Sequence, residues 1–424
     1  MRLQLNAGVA RAASAIAMGS LLVGLAGVAH AQPPSTEPAS ADAPAAAPVP
    51  PAVAVEGAVA PARRYTVRAS SEVGGYADTD HVFVVTPTVA GSVADPVAGW
   101  SVDGRYLVDV VSAASVDIVS TASRRWEEVR HAGTLGGTYK PGTFGVSVSG
   151  AGSFEPDYTS LAGGVLLAQD VLDKRLTVLA GYDYGHDVAG RTGTPFSVFS
   201  HAIDRHGVKG GASLVMSRST LVTALVDAVF ESGDSSKPYR YIPMFAPGTE
   251  VARGASIDTV NALRLAERPL EQLPLSRDRY ALTLRLAHRF SASTLRLEER
   301  LYHDTWGIDA TSTDARFVVD VAPRLQLGPH ARVHAQTPVD FWQRVYVVGP
   351  GYDFPALRTG DRELGPLVNL TAGGTLRVGL GPSDAPRRWL LGLDVNVTST
   401  QYLDDLYVTH RVSAVSAITL EAEL

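Results

Sequence analysis

The chain contains no cysteine. Disulfides and thiolate-bound metals are therefore excluded, and stability has to come from backbone pairing and packing. There are 37 Lys and Arg against 43 Asp and Glu, a formal net charge of −6. The basic footprint required for nucleic acid is missing, and no nucleic-acid partner is expected. After residue 31 no apolar run reaches about eighteen residues, which excludes helical membrane spans. No Gly-x-Ser-x-Gly elbow is present to activate a serine nucleophile. In "HAIDRHG", His201, Asp204 and His206 fit no standard metal spacing, because on a strand His201 and Asp204 point to opposite faces. No catalytic residue, metal or cofactor is expected.

What is present begins with a targeting segment. Arg2 and Arg11 precede a mostly apolar run, Ala15 to Ala29, and Ala29-His30-Ala31 gives the small-x-small pattern of a cleavage site. Residues 1–31 read as a signal peptide that hands the chain to the export machinery. Residues 32–63, rich in Ala and Pro, cannot bury a core and read as a disordered leader. Residues 64–424 remain for the folded part.

That part alternates with period two. In "RYALTLRLAHRF", Tyr280, Leu282, Leu284, Leu286 and Phe290 oppose Arg279, Thr283, Arg285 and Arg289. In "WLLGLDVNV", Trp389, Leu391, Leu393, Val395 and Val397 oppose Asp394 and Asn396. Runs such as 144–154, 368–380 and 412–424 do the same, each long enough to cross a bilayer when tilted. Short links are expected at 95–98, 140–142, 172–175, 217–220, 291–294, 328–331 and 382–387. Longer ones are expected at 111–124, 186–198, 232–277, 306–315 and 346–364. Short turns on one side and long loops on the other predict an all-β fold: a single antiparallel transmembrane β-barrel of roughly sixteen strands (14–16), with periplasmic turns and extracellular loops. The expected partners are the lipid bilayer of the outer membrane and the barrel-assembly machinery. A soluble secreted β-sheet protein also alternates, and an outer-membrane enzyme with a rim site shares the barrel pattern, so both stand as alternatives.

Several motifs point the same way. "YADTDHVFVVTP" (76–87), "YLVDVVSAASVDIVSTAS" (106–123), "RWEEVR" (125–130), "KPYRYIPMF" (237–245), "RPLEQLPLSRDRYAL" (268–282), "RLYHDTWGIDA" (300–310) and "VDFWQRVY" (339–346) together resemble a family of bacterial outer-membrane barrels, domain of unknown function family 3570. The resemblance implies an exported barrel without an assigned substrate and supplies no catalytic residues.

Inward charge is the main functional signal. Glu128, Arg130, Arg279, Arg285, Arg289, Arg296, Glu298, Arg300, Arg316, Asp320, Arg324, Arg377, Asp394 and Arg411 fall on the polar parity. Asp183, Lys209, Asp227 and Arg332 join them. Arg or Lys toward lipid at the midplane costs about 2–4 kcal/mol. These side chains are expected to line the lumen, either paired and filling it or forming a pathway for an unidentified solute with a basic C-terminal half. Tyr302 and Trp306 are expected in the interfacial aromatic girdle. Tyr239, Arg240 and Tyr241 lie in a long loop that either meets a ligand or folds inward as a plug. "SIDTVNALRLAE" predicts a short helix capped by Ser256 and ending before Pro269.

"VDVVSAAS" followed by "VDIVSTAS" places Asp109 and Asp117 eight residues apart. In one strand they would stand about 26 Å apart. A strand to about Val110 and a bend near Ser112–Ser115 would fold the two arms together as a loop. Two carboxylates and serines make a thin ligand set for calcium.

Overall fold

The computed structural model describes residues 65–113, 126–381 and 388–424. The signal, the leader, Asp117 and the link at 382–387 lie outside the described residues. The first half of the wall comprises β1 (Thr66–Asp78), β2 (Phe83–Asp95), β3 (Trp100–Ala113), β4 (Trp126–Tyr139) and β5 (Phe144–Glu155). It continues through β6 (Tyr158–Val171), β7 (Leu176–Ala189), β8 (His201–Ser217) and β9 (Thr220–Gly233). A short β10 (Met244–Phe245) and a helix α1 (Ile257–Leu263) follow within a long loop. The second half comprises β11 (Ser276–Arg289), β12 (Ser293–Asp304), β13 (Asp309–Ala322) and β14 (Leu325–Gln336). After a short β15 (Tyr346–Val347) come β16 (Leu367–Leu380), β17 (Arg388–Tyr402) and β18 (His410–Glu423).

Among the described residues, sixteen strands form one closed antiparallel barrel, and β18 closes on β1. Closure leaves no unpaired strand edge, which a bilayer would not tolerate. β10 and β15 pair with each other, in parallel, outside the wall. The expected architecture is the observed one. Short turns gather at the end where β1 begins and β18 finishes, and the long segments 190–200, 234–275 and 337–366 gather at the other.

Outward positions carry the apolar residues, among them Leu282 and Leu284 on β11, Leu297 and Leu301 on β12, and Leu391, Leu393, Val395 and Val397 on β17. An apolar belt around a closed ring belongs in hydrocarbon. Every Lys and Arg on the sixteen described strands falls on the opposite, inward parity, from Arg68 on β1 to Arg411 on β18. Outward acid is confined mostly to the long-loop end, as at Asp204, Asp278 and Asp309. Glu299 is different: it stands near mid-strand between Leu297 and Leu301. Its carboxylate accepts hydrogen bonds from Thr311 Oγ1 and Thr313 Oγ1, both at 2.5 Å.

Several local expectations are corrected. β3 continues past Val110 to Ala113, because Val84 and Phe83 of β2 go on pairing with Val111 and Ser112. The expected turn at 328–331 lies inside β14, and the chain reverses at Pro323–Arg324 instead. Pro329 has no N–H to donate, and the ladder toward β13 is interrupted there, between Arg316↔His330 and Val319↔Leu327. The polar stretch 306–315 is largely strand, since Ser312 and Asp314 face the lumen and need no loop. Tyr302 and Trp306 are buried rather than interfacial. Tyr302 Oη donates to Asp304 at 2.7 Å, and the Trp306 indole donates to the Ser276 carbonyl at 2.8 Å. α1 forms where the capping pattern placed it, with Ser256 accepting from the Thr259 N–H.

Glu299→Leu removes the mid-strand carboxylate from the lipid face. It is expected to raise unfolding stability in lipid by about 1 kcal/mol in a urea titration, since an acidic group toward lipid costs less than Arg. A loss of stability would show that this face does not meet hydrocarbon.

Candidate functional site

The inward parity brings opposite charges together across neighbouring strands. Asp109 is buried on β3, where Oδ2 accepts from Arg130 Nε at 2.7 Å and Oδ1 from Thr86 Oγ1 at 2.6 Å. Lys209 reaches Asp183 at 2.7 Å and Arg205 reaches Asp187 at 2.8 Å. Arg279 holds Glu231 at 2.6 Å, Arg285 holds Glu298 at 2.5 Å, and Arg289 holds Asp320 at 2.5 Å. Asp304 is fully buried and binds Arg277, whose guanidinium also lies over the Trp306 ring at 4.3 Å. Trp306 N and Ile308 N donate to its second oxygen at 2.9 and 3.1 Å. A buried charge so surrounded is stable because both its ion and its lone pairs are satisfied.

The charge is not spread evenly. β11 to β16 carry Arg277, Arg279, Arg285, Arg289, Arg296, Arg300, Arg316, Arg332 and Arg377 inward, against Glu298, Asp304, Asp314 and Asp320. β3 to β9 carry Asp103, Asp109, Glu155, Asp170, Asp183, Asp187, Asp227 and Glu231, against Arg105, Arg130, Arg205 and Lys209. β13 stands eight strands from β4 around the ring, so the basic sector faces the opposite wall. That wall is built of small inward residues, including Thr134, Gly136, Ser147, Ser149, Ala162 and Gly164. A lumen of this kind sets a transverse field across any solute inside it.

Accessibility changes along the axis. Toward the long-loop end the inward residues are buried on almost every strand, including Tyr76, Thr86, Ser153, Ser160, Asp187, Thr283, His334, Asn369, Thr400 and Ser413. Toward the short-turn end, inward Arg289 and Arg296 are exposed and Ser70, Ser92, Thr134, Ser147 and Glu421 are half-exposed. The lumen is thus filled at one end and open at the other.

The filling comes from the long loops. Ile242, Met244, Tyr346 and Val348 form one small apolar core, and Phe245, Val251, Val260 and Leu406 form another. The first core already spans both long loops, and ion pairs reinforce the junction. Asp361 accepts from Lys237 Nζ at 2.5 Å and Arg240 Nη1 at 2.6 Å, joining the 234–275 loop to the 337–366 loop. Glu271 accepts from the Lys237 N–H at 3.0 Å, Arg240 at 3.1 Å and Thr359 Oγ1 at 2.6 Å. Burial pushes the Asp361 carboxyl up, but Arg240 and Lys237 outweigh it and hold the group well below the usual carboxylate range. Burial likewise pushes the Tyr346 phenol up to about 12, and the Thr359 N–H bonded to its oxygen draws it down only partly.

The cap docks on the wall through an apolar cluster, in which Leu273 and Val339 pack with Ala281 and Tyr302, and through polar contacts. Arg362 reaches Asp80 in the β1–β2 turn at 2.6 Å. Glu363 accepts from Tyr402 Oη at 2.7 Å and lies 3.2 Å from Arg411. Gln336 Nε2 donates to the Glu363 and Gly365 carbonyls, each at 2.9 Å. On the far side the Thr192 N–H donates to Tyr239 Oη at 2.6 Å.

The residues singled out in the sequence fall in three places. Arg130, Arg279, Arg285, Arg289, Arg296, Glu298, Arg300, Arg316, Asp320, Arg377, Asp394 and Arg411 stand at inward positions on the wall, and Glu128 pairs in register with Val111 on β4. Arg324 is instead exposed on the β13–β14 turn, where its guanidinium meets the Gly381 carbonyl. Tyr239, Arg240 and Tyr241 belong to the cap, with Arg268 over the Tyr241 ring. Asp109 belongs to a wall ion pair and not to a loop. His201 faces inward to the Ser236 carbonyl at 3.0 Å, while Asp204 turns outward to Tyr184 and His186. Among the described residues no cluster of three His, Asp or Glu could hold a metal. Arg205 and Arg277 share the inward parity of their neighbours, a signal legible in the sequence. Asp361 and Glu271 carried no local signal at all.

No curated protein matches the chain. Among solved structures it is similar to CdiB from Acinetobacter baumannii at 9% identity and a TM-score of 0.47, covering 84% of this chain and 60% of that one. The chain thus spans three-fifths of the length of CdiB. It is also similar to OccK7 (OpdD) of Pseudomonas aeruginosa, at 9% identity and a TM-score of 0.42, covering 85% and 98%. A bacterial polysaccharide outer membrane secretin aligns at 11% identity and a TM-score of 0.41, covering 84% and 97%. From the start of β8 to the link after β16, residues 200–385 match the family described as "Protein of unknown function (DUF3570)", the stretch that holds the arginine-rich sector and both cap loops.

Proposed function

We propose that the protein is an outer-membrane channel for small polar solutes, open toward the periplasm through its short-turn end and closed at the cell surface by the loop cap. The observation that carries this reading is the axial gradient: solvent-accessible charge in one half of the lumen, and buried charge under a cap in the other. The signal-like N-terminus and the apolar exterior support the outer membrane as its location. The basic and acidic sectors favour solutes that are charged or strongly dipolar, because a fixed transverse field orients them during passage.

The cap meets the wall through ion pairs and through an apolar cluster in which Val339 packs with Ala281, Tyr302 and Trp306, so both hold it in place. Asp361 carries the ion pairs between the two cap loops, which the β10–β15 pairing and the Glu271–Thr359 hydrogen bond also join. Removing it breaks the buried ion pairs to Lys237 and Arg240, a cost of about 3 kcal/mol or more.

In planar bilayers, Asp361→Asn is expected to conduct several-fold more than the wild-type barrel. Equal conductance would remove Asp361 from gating, and no conductance in either protein would end the channel reading. The pH dependence follows from the depressed carboxyl. Its stabilising contribution is complete above the unfolded carboxylate value, about 3.9, and fades only as pH falls through the lower folded value. Wild-type conductance is therefore expected to stay constant between about pH 7 and pH 5. A rise across that window would assign the latch to another group.

A further inference from the structure

We propose that Arg296 and Arg316 form a binding site for a tetrahedral oxyanion of the phosphate class, on the lumen wall near the short-turn end. The two arginines are direct register partners on β12 and β13, both at inward positions. Like charges placed directly opposite each other repel, and an oxyanion held between them relieves that repulsion.

The local carboxylates do not fill that role for Arg296. Glu298, two residues along the same strand, holds Arg285 at 2.5 Å. Asp314, opposite Glu298, is shared between Arg316 Nε at 3.2 Å and His330 Nε2 at 2.6 Å. Asp320 holds Arg289. On its other side Arg296 faces Ala287 of β11, which carries no charge. Among the described residues no carboxylate pairs with Arg296, and its side chain is exposed to the open half of the lumen. An ion entering from the short-turn end reaches it without passing the cap.

The geometry selects the ligand. Guanidinium forks bind oxygen edges in pairs, and two forks on adjacent strands approach an ion from two sides. A single carboxylate offers one edge and satisfies one fork. A tetrahedral dianion offers an edge to each. Asp314 beside Arg316 keeps the site from accumulating anions indiscriminately, since only an ion that engages both arginines gains enough to offset its repulsion.

This inference concerns binding and stands apart from the channel reading. Titration calorimetry on the refolded full chain in a neutral detergent, with inorganic phosphate as the probe, is expected to show saturable binding, with acetate weaker. Arg296→Ala is expected to weaken phosphate by about tenfold or more, the loss of a charge-assisted contact. Arg296→Lys keeps the charge without the fork and should fall between. Arg324→Ala, on the turn, should bind as wild type. Heat-modifiable gel mobility confirms that each variant is a folded barrel. No saturable phosphate binding by wild type, or equal weakening by Arg296→Ala and Arg324→Ala, overturns the site. A barrel that binds phosphate but does not conduct keeps this site and loses the channel; one that conducts without binding does the reverse.

Discussion

A cation cannot face hydrocarbon cheaply, and the rest of this structure follows from that constraint. In a strand the side chains alternate, so turning one arginine inward fixes the parity of its whole strand. Sixteen strands obeying the same rule place their apolar residues on one surface and their charges on the other. The register that pairs the backbones then decides which charges meet. Arg130 finds Asp109 and Arg285 finds Glu298 because those positions are opposite in the ladder.

Inside a narrow polar tube the same logic governs what closes it. A loop entering the lumen must satisfy the charges it covers, and this cap does so with Arg362 on Asp80 and with Glu363 on Arg411 and Tyr402. Its own cohesion comes from two small apolar cores, the β10–β15 pairing and the ion pairs of Asp361. The cap is therefore a unit that docks on the wall by ionic contacts and by the apolar cluster around Val339 and Trp306. Where it stops, unsatisfied wall charge such as Arg296 begins. The filled half and the open half are two consequences of one charge-lined interior.

How much of this was legible in the sequence depends on the range of the interaction. The parity of Leu282, Leu284 and Arg285 is local, and so was the barrel. Ser256 capping α1 is also local, and the helix is where the pattern put it. Trp306 was misplaced because it packs with Leu273, Val339 and Phe341 and bonds to Ser276, all thirty or more positions away, which no window can show. Pro329 looked like a turn because the interruption in the neighbouring ladder is invisible along the chain. Asp109 looked like half of a loop motif until Arg130 appeared beside it. Asp361 meets Lys237 across 124 positions, so this ion pair exists only once the strands between them have assembled.

The absence of cysteine makes one measurement especially direct: single cysteines placed along β12 and probed in lipid vesicles with a membrane-impermeant maleimide. The expected result is alternation, with Arg296→Cys and Glu298→Cys labelled and Leu297→Cys and Leu301→Cys protected. Labelling at every position, or protection of the inward pair with labelling of the leucines, would contradict an apolar exterior wrapped around a charged, open half-lumen.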